Sequence, residues 1–332
     1  MILVVGATGS TGEAIVRTLR QYGAATRALV RSGSEYFWLN DSGTQFFFGD
    51  LRDPISLKRA AKGVEAAIIS VNVWLETREN NHLDLLNGVK TLCQALADNG
   101  CQKIVLNSCL GADLDIAVPA FQSRKAMEEC VIESGIPYTI LRSPPHEGYF
   151  IKLAASDIRI PHCSGNVLYP ISTADIALAS VASLDSEDTV NKTLSLCGPK
   201  ELSARGAYEQ ACQALNTPKK PVYTGSTLFG GLKMLGRPFR RFSNRWSEIE
   251  VWFTHDFQAE PEMVQSQFGI ELSPIDEPLN AFSQRFHIRN TPELREQHMV
   301  HPQFYATVYS PGTAKLSEMP TGPVRPSDNS KQ

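Results

Sequence analysis

Residues 2–12 constrain this chain most. Ile2, Leu3, Val4 and Val5 form an unbroken branched apolar run, the pattern of a strand buried on both faces. Gly6-Ala7-Thr8-Gly9-Ser10-Thr11-Gly12 follows at once, and Glu13 to Arg20 then repeats apolar residues at helical spacing. Strand, glycine turn and helix start in that order make an anion site. The glycines let backbone approach a diphosphate, and the helix start offers free N–H groups and the positive end of its dipole. Gly6, Thr8, Gly9, Ser10, Thr11 and Gly12 are therefore the expected diphosphate cradle, with Ser10 or Thr11 as the helix cap. A tight turn with no ligand is the plainer alternative, and two features further along weigh against it.

The first is Arg31. Ala25–Val30 reads as the second strand, ending at Arg31-Ser32-Gly33-Ser34. In NAD-binding folds an acidic residue about 20 positions beyond the glycines holds the ribose 2′-hydroxyl. Here that place holds Arg31, with Ser32 beside it and no carboxylate before Glu35. A guanidinium can bind a 2′-phosphate bidentately. The expected dinucleotide is NADP(H) in preference to NAD(H), a solvated surface arginine being the plainer reading. The second feature is the fourth strand, Ala66–Val71, which emerges at Asn72 after a third strand at Gln45–Phe48 and a short helix over 56–62. Doubly wound sheets bind ligands where strand order reverses, at the carboxyl ends of strands one and four. Ser70 and Asn72 are placed to line a ribose there.

Asn81 to Asn99 carries an apolar stripe at helical spacing and Gly100 ends it. Lys103–Asn107 is strand five, ending in Ser108; a helix after Pro119 runs through Phe121–Glu129; Ile136–Arg142 is strand six. Ile171–Ala177 opens a helix capped by Ser172 or Thr173, 192–196 is a seventh strand, and Ser203 caps a helix running to Leu215. This alternation predicts an α/β, Rossmann-type doubly wound parallel sheet over residues 1–215, with an excursion toward the substrate side over about 143–192. Residues 216–288 read as a smaller, mostly helical C-terminal cap. Residues 289–332 read as a flexible polar tail rich in Pro, Gly, Ser and Asn.

The net charge of −3 gives no bulk nucleic-acid signal. Seven scattered cysteines show no Cys-x-x-Cys pair and no zinc spacing, so no metal site is expected. Such thiols fit a reducing, cytoplasmic or stromal-type compartment. No apolar run reaches the length of a membrane span, and a strand starting at residue 2 carries the expectation of no leader peptide, hence a soluble protein. Over 225–246, Phe229, Phe239, Phe242 and Trp246 interleave with Lys233, Arg237, Arg240, Arg241 and Arg245, with no acid among them. A stretch like this can meet an anionic membrane surface or a protein partner. A lid with a solvated face is the plainer reading.

The Gly6-x-x-Gly9-x-x-Gly12 spacing resembles the short-chain dehydrogenase/reductase superfamily in its extended and atypical branches. Gly135-Ile136-Pro137-Tyr138-Thr139-Ile140-Leu141-Arg142, with the run from Ser108 through Lys125, resembles the superfamily's NmrA-like group, over roughly residues 1–215. The resemblance implies that Asp50 and Leu51 meet the adenine and that Asp175 braces the fold. It also implies a serine, a tyrosine and a lysine four residues after the tyrosine. The lysine holds the ribose and lowers the tyrosine's pKa, and the tyrosine exchanges a proton at the substrate oxygen. Ser108 matches the serine and Lys125 the lysine, but the tyrosine's place holds Phe121, which has no proton to give.

Three readings follow. In one, a reductase uses another acid: Lys125 if burial lowers its pKa, as in related aromatic-ether reductases, or Tyr149 or His146 past strand six. In another, the chain binds NADP(H) without turnover, as a redox sensor or an assembly factor of the photosystem II type. In the third, it reduces a conjugated double bond, which needs little acid help, like the vinyl reductases of pigment synthesis.

Overall fold

Short apolar runs at 2–5, 66–69 and 104–106 can each bury both faces at once, and they become neighbouring strands at the centre of one sheet. A computed structural model describes residues 1–34, 36, 39–40, 43–71, 81–114, 116, 118–156, 160–161, 165–216, 223–224 and 247–290. The strands are β1 (Ile2–Val5), β2 (Thr26–Val30), β3 (Gln45–Phe48), β4 (Ala66–Ile69), β5 (Lys103–Cys109), β6 (Tyr138–Ser143), β7 (Ile160–Pro161), β8 (Lys192–Ser195) and β9 (Tyr223–Thr224). Seven of them form a sheet in the order β3-β2-β1-β4-β5-β6-β8, parallel throughout. β7 and β9 pair separately.

The helices are α1 (Ser10–Gln21), α2 (Pro54–Ala60), α3 (Asn81–Asp98), α4 (Pro119–Glu133), α5 (Glu147–Ala154), α6 (Thr173–Asp185), α7 (Ala204–Ala214), α8 (247–254), α9 (Pro261–Phe268) and α10 (Asp276–Asn290). Strand alternation sorts the core. Val4, Ala28, Ile68, Val105 and Leu141 pack with α1 and α6 on one face. Leu3, Val5, Ile69, Leu106 and Ile140 pack with α2, α3 and α4 on the other. This is the doubly wound arrangement expected.

A third cluster gathers α5, α7, α8 and α10 around Phe150, Tyr208, Phe253 and Leu279. α7 precedes the expected boundary near 215 yet shares this core with residues that follow it. The described cysteines act as small core residues. Cys93, Cys101 and Cys197 are buried, and burial pushes the Cys93 thiol up to about 12. No helix among the described residues is long and apolar enough to cross a membrane.

Ser172 and Ser203 cap α6 and α7 through their hydroxyls, which accept from Asp175 N–H at 3.0 Å and Gly206 N–H at 3.1 Å. α1 departs from expectation. Its cap is Gly9, with no side-chain hydrogen bond, so Ser10 and Thr11 are the first helical residues rather than the cap. The turn before it is dense. Gly6 has φ +86°, and a Cβ there would lie 2.2 Å from the Ser70 carbonyl oxygen. A Cβ on Gly12 would lie 2.1 Å from the Gly6 carbonyl oxygen. No side chain fits at either position.

Gly6→Ala forces a disfavoured backbone angle and a collision with β4 backbone. We expect it to cost roughly 2–4 kcal/mol of stability, measured as a lowered urea midpoint. An unchanged midpoint would show that the turn can open without cost.

Candidate functional site

The carboxyl ends of β1 and β4 lie side by side, and strand order reverses between them. Ligands of open α/β sheets bind in that crevice. Gly9 stands at its edge, exposed, with an ordinary φ of −78°. A Cβ on Gly9 would approach only the Gly6 carbonyl oxygen, at 3.3 Å. The fold therefore requires Gly6 and Gly12 far more than Gly9. What a side chain at residue 9 would obstruct is the approach to the uncapped first turn of α1. Those amides and the dipole behind them suit a diphosphate.

The helix start is one wall of an open cleft. The ends of β4, β5 and β6, one face of α4, the first turns of α5, and Trp252 on α8 form the rest. Asn107, on β5, is 6 % exposed; its Oδ1 accepts from Ser180 Oγ at 3.1 Å. Its Nδ2 has no partner among the described residues. A buried donor at a cleft wall calls for an acceptor brought by a ligand.

Beneath the cleft floor lies an ionic network. Ser108 Oγ donates to Glu128 Oε1 at 2.5 Å. Arg142 grips Glu128 bidentately, Nε to Oε1 at 3.0 Å and Nη2 to Oε2 at 2.7 Å, and reaches Asp113 Oδ2 at 2.8 Å. Donating to Glu128 raises the Arg142 pKa above its ordinary value. The Ser108 hydroxyl proton is thus engaged away from the cleft. Phe121 is 2 % exposed and packs on Trp252, ring centroids 5.4 Å apart, so its ring belongs to the third core cluster. Lys125 is exposed and forms no part of the cleft wall. Arg124 stands there instead, its Nη1 donating to the Asn107 carbonyl at 3.2 Å. The burial that Lys125 needs to act as an acid is absent.

His146, at the end of β6, caps α5. Its Nδ1 accepts from Gly148 N–H at 3.1 Å. Burial, then the charges of Lys152 and Arg124, push its pKa down to about 3, so the ring is neutral. Behind it Glu147 is buried, accepting from Thr173 N–H at 2.9 Å and from the Thr173 hydroxyl, which ties α5 to the start of α6. Burial pushes Glu147 up to about 7. Asp175, 1 % exposed, accepts from Ser273 N–H at 2.9 Å, and burial pushes it up to about 6.

Of the residues singled out from sequence, Gly9, Ser10, Thr11, Gly12, Ser70, Ser108, His146 and Tyr149 share the cleft. Gly6 and Thr8 lie in the turn behind it. Arg31 and Ser32 are exposed just past β2, and Asp50 and Leu51 just past β3, beyond the cleft walls. The Asp50 carboxylate accepts from Arg52 N–H at 2.9 Å, Nε at 3.0 Å and Nη2 at 2.7 Å. Those bonds hold its carboxyl below the usual range, and the Arg31 charge adds to the effect. Any adenine contact must share this carboxylate with Arg52. Asn72 and the basic stretch 225–246 lie outside the described residues. Sequence reasoning missed Arg124, Lys152 and Trp252. A helical stripe through Phe121, Arg124, Glu128 and Val131 would have found the first.

A parallel sheet in this order, with an uncapped helix start at its point of reversal, defines a Rossmann-type protein. The sequence pattern of the NmrA-like family matches residues 1–179, and the chain belongs to that family. It is 30% identical to the NAD(P)H azoreductase of Xenophilus azovorans over 231 residues, 67% of this chain and 76% of that protein. It is 29% identical to photosystem II assembly factor Ycf39 of Cyanophora paradoxa over 225 residues, 65% and 68% of the two chains. Its fold is similar to that of Citrobacter sp. triphenylmethane reductase, solved with NADP(H), at a TM-score of 0.63 and 22% identity, covering 84% of this chain and 99% of that one.

Glu147 and Asp175 both favour their neutral forms in the fold, against ordinary values of 4.5 and 3.8. Their protonated state is stabilising only in the native protein, so stability falls as pH rises from about 4 through about 7. Glu147→Gln should flatten that fall between pH 5 and pH 8 in urea midpoints. A slope equal to wild type would contradict the assignment.

Proposed function

We propose that this chain binds NADP(H) at the start of α1 and reduces a conjugated acceptor, of the quinone or azo class, in the same cleft. The observation that carries this reading is Gly9: a bare, exposed helix cap that the protein's own packing does not demand. The amides of Ser10, Thr11 and Gly12 would take the diphosphate, Arg31 and Ser32 the 2′-phosphate, and Ser70 a ribose. Asn107 Nδ2 would donate to the bound group, while Leu51 and Asp50 would meet the adenine. When bound, a reduced nicotinamide supplies hydride.

The chain's part is to hold, orient and exclude water. Pro144, Pro145 and Trp252 offer an apolar wall on which a flat acceptor can lie. Ser108 is bound to Glu128 and Lys125 is turned to solvent, so proton delivery by the superfamily's trio has no support in this geometry. A conjugated acceptor spreads the incoming charge and needs little acid help, which favours that substrate class. The azoreductase relative and the NADP(H)-bound structural neighbour are consistent with it.

A second reading keeps cofactor binding without turnover, as in an assembly factor like the Ycf39 relatives. The same disengaged trio favours it. On this reading the stretch 225–246 would meet a protein partner or a membrane surface, in a reducing compartment. We take residues 216–288 as a cap and 289–332 as a tail under either reading.

Gly9→Val should weaken NADPH binding at least tenfold, with a fall in the urea midpoint smaller than that of Gly6→Ala. Arg31→Asp should weaken NADPH far more than NADH, because a hydrogen bond to a charged group contributes roughly 1.5–3 kcal/mol. Calorimetric titration checks both. Equal losses for the two cofactors would remove Arg31 from the 2′-phosphate site. Undiminished binding in Gly9→Val would move the dinucleotide elsewhere. Steady NADPH oxidation with a quinone or azo dye supports the reductase reading, and binding without turnover supports the second.

A further inference from the structure

We propose that His146 is the hydrogen-bond donor to the reducible oxygen or nitrogen of the substrate, filling the place that Phe121 leaves without a hydroxyl. The proposal rests on the reductase reading above. It adds no proton transfer, since the imidazole keeps its own proton.

Position comes first. His146 follows β6, whose end pairs with the end of β5, Ser108 beside Arg142 and Cys109 beside Ser143. It lines the cleft on the side away from β2 and β3, opposite the Arg31 end. The ring's two nitrogens have distinct duties. Nδ1 accepts the Gly148 N–H at 3.1 Å, which places the ring proton on Nε2; since His146 lines the cleft, that N–H is the donor the proposal assigns to the substrate. The ring is also held in place. A Cβ on Gly148 would sit 3.0 Å from His146 Cε1 and 2.9 Å from Phe282 Cζ, so the bare glycine leaves room for both rings. His146 backbone is further tied by a bridge to Ile171.

Other donors at the cleft are less suited. The Ser108 hydroxyl is bound to Glu128, and the Ser143 hydroxyl reaches the Ser108 carbonyl at 3.4 Å. The Tyr149 hydroxyl is buried on the same wall, and Tyr149→Phe is the control that separates its part from that of His146. Arg124 donates to the Asn107 carbonyl, and Lys152 reaches the wall on a flexible stem. The neutral state of the imidazole fits the role. A neutral donor can stabilise charge developing on an acceptor atom without releasing a proton, and a preorganised donor of this kind is worth roughly 10²–10³ in rate.

Two variants keep the α5 cap and differ at the donor. In His146→Asn the carbonyl can accept from Gly148 N–H while the amide N–H faces the cleft; in His146→Ser the hydroxyl can cap but is too short to reach. With 1,4-naphthoquinone and a carboxylated azo dye as probes, we expect Ser to lower kcat roughly 100-fold. Asn should recover most of the loss, and NADPH affinity should stay within threefold of wild type in both. A direct spectroscopic readout uses the full chain labelled with ¹⁵N-histidine, the His146 signals assigned by their absence in His146→Asn. At pH 7 they should report a neutral ring protonated on Nε2, and naphthoquinone added with NADP⁺ should shift the Nε2–H resonance.

A ring protonated on Nδ1, or an Nε2–H unmoved by bound quinone, overturns the proposal even if a variant fails to fold. So does His146→Ser activity within threefold of wild type, or a loss found only in Lys152→Met. Wild type that binds NADPH and reduces neither probe overturns the reductase reading itself, and this inference with it.

Discussion

Gly6 lies so close to the backbone of Ser70 that no side chain can enter, and the site is built outward from that contact. It presses the end of β1 against the end of β4 at the point where the sheet changes direction. Gly12 then presses the start of α1 onto Gly6. The outcome is a helix whose first residues line the cleft at the sheet's carboxyl edge, capped by Gly9 with no side-chain hydrogen bond. Hydrophobic burial on both sheet faces holds the strands. The close approach of three backbone segments decides where a ligand's charge can rest.

The other half of the cleft is stiffened by buried polar groups. Glu128 joins Ser108 on β5 to Arg142 on β6, and Arg142 extends to Asp113. Glu147 joins α5 to α6, and Asp175 joins α6 to the backbone at Ser273. A buried charge left unpaired is strongly destabilising; the Glu128 and Glu147 carboxylates accept hydrogen bonds on both oxygens, whereas Asp175 accepts through Oδ2 and leaves Oδ1 without a partner among the described residues. The residues that match the superfamily's trio each have another setting here. The serine is part of the Glu128 link, the tyrosine's place is core, and the lysine faces water. The donors that remain at the cleft are of another kind.

Much of this was legible in residues 2–12, 25–31 and 66–71, where apolar runs, glycine spacing and turn residues all point one way. Strand periods are short and local, so β1, β2 and β4 could be read directly. Ser172 and Ser203 could be read as caps for the same reason. What escaped depends on contacts between distant segments. α5 and α10 have little periodicity of their own and are held by packing on α7 and α8. Arg124 escaped because the face of α4 turned to the cleft follows from Phe121 and Glu128 being buried, which needs the tertiary packing.

The central claim is that a dinucleotide's diphosphate sits on the first amides of α1. Backbone ¹⁵N–¹H spectra of the full chain, recorded as NADP⁺ is added, test it residue by residue. The account predicts that the amide signals of Ser10, Thr11 and Gly12 move most at saturation and that those of β8 stay still. Saturable binding that leaves these three amides unmoved would contradict it.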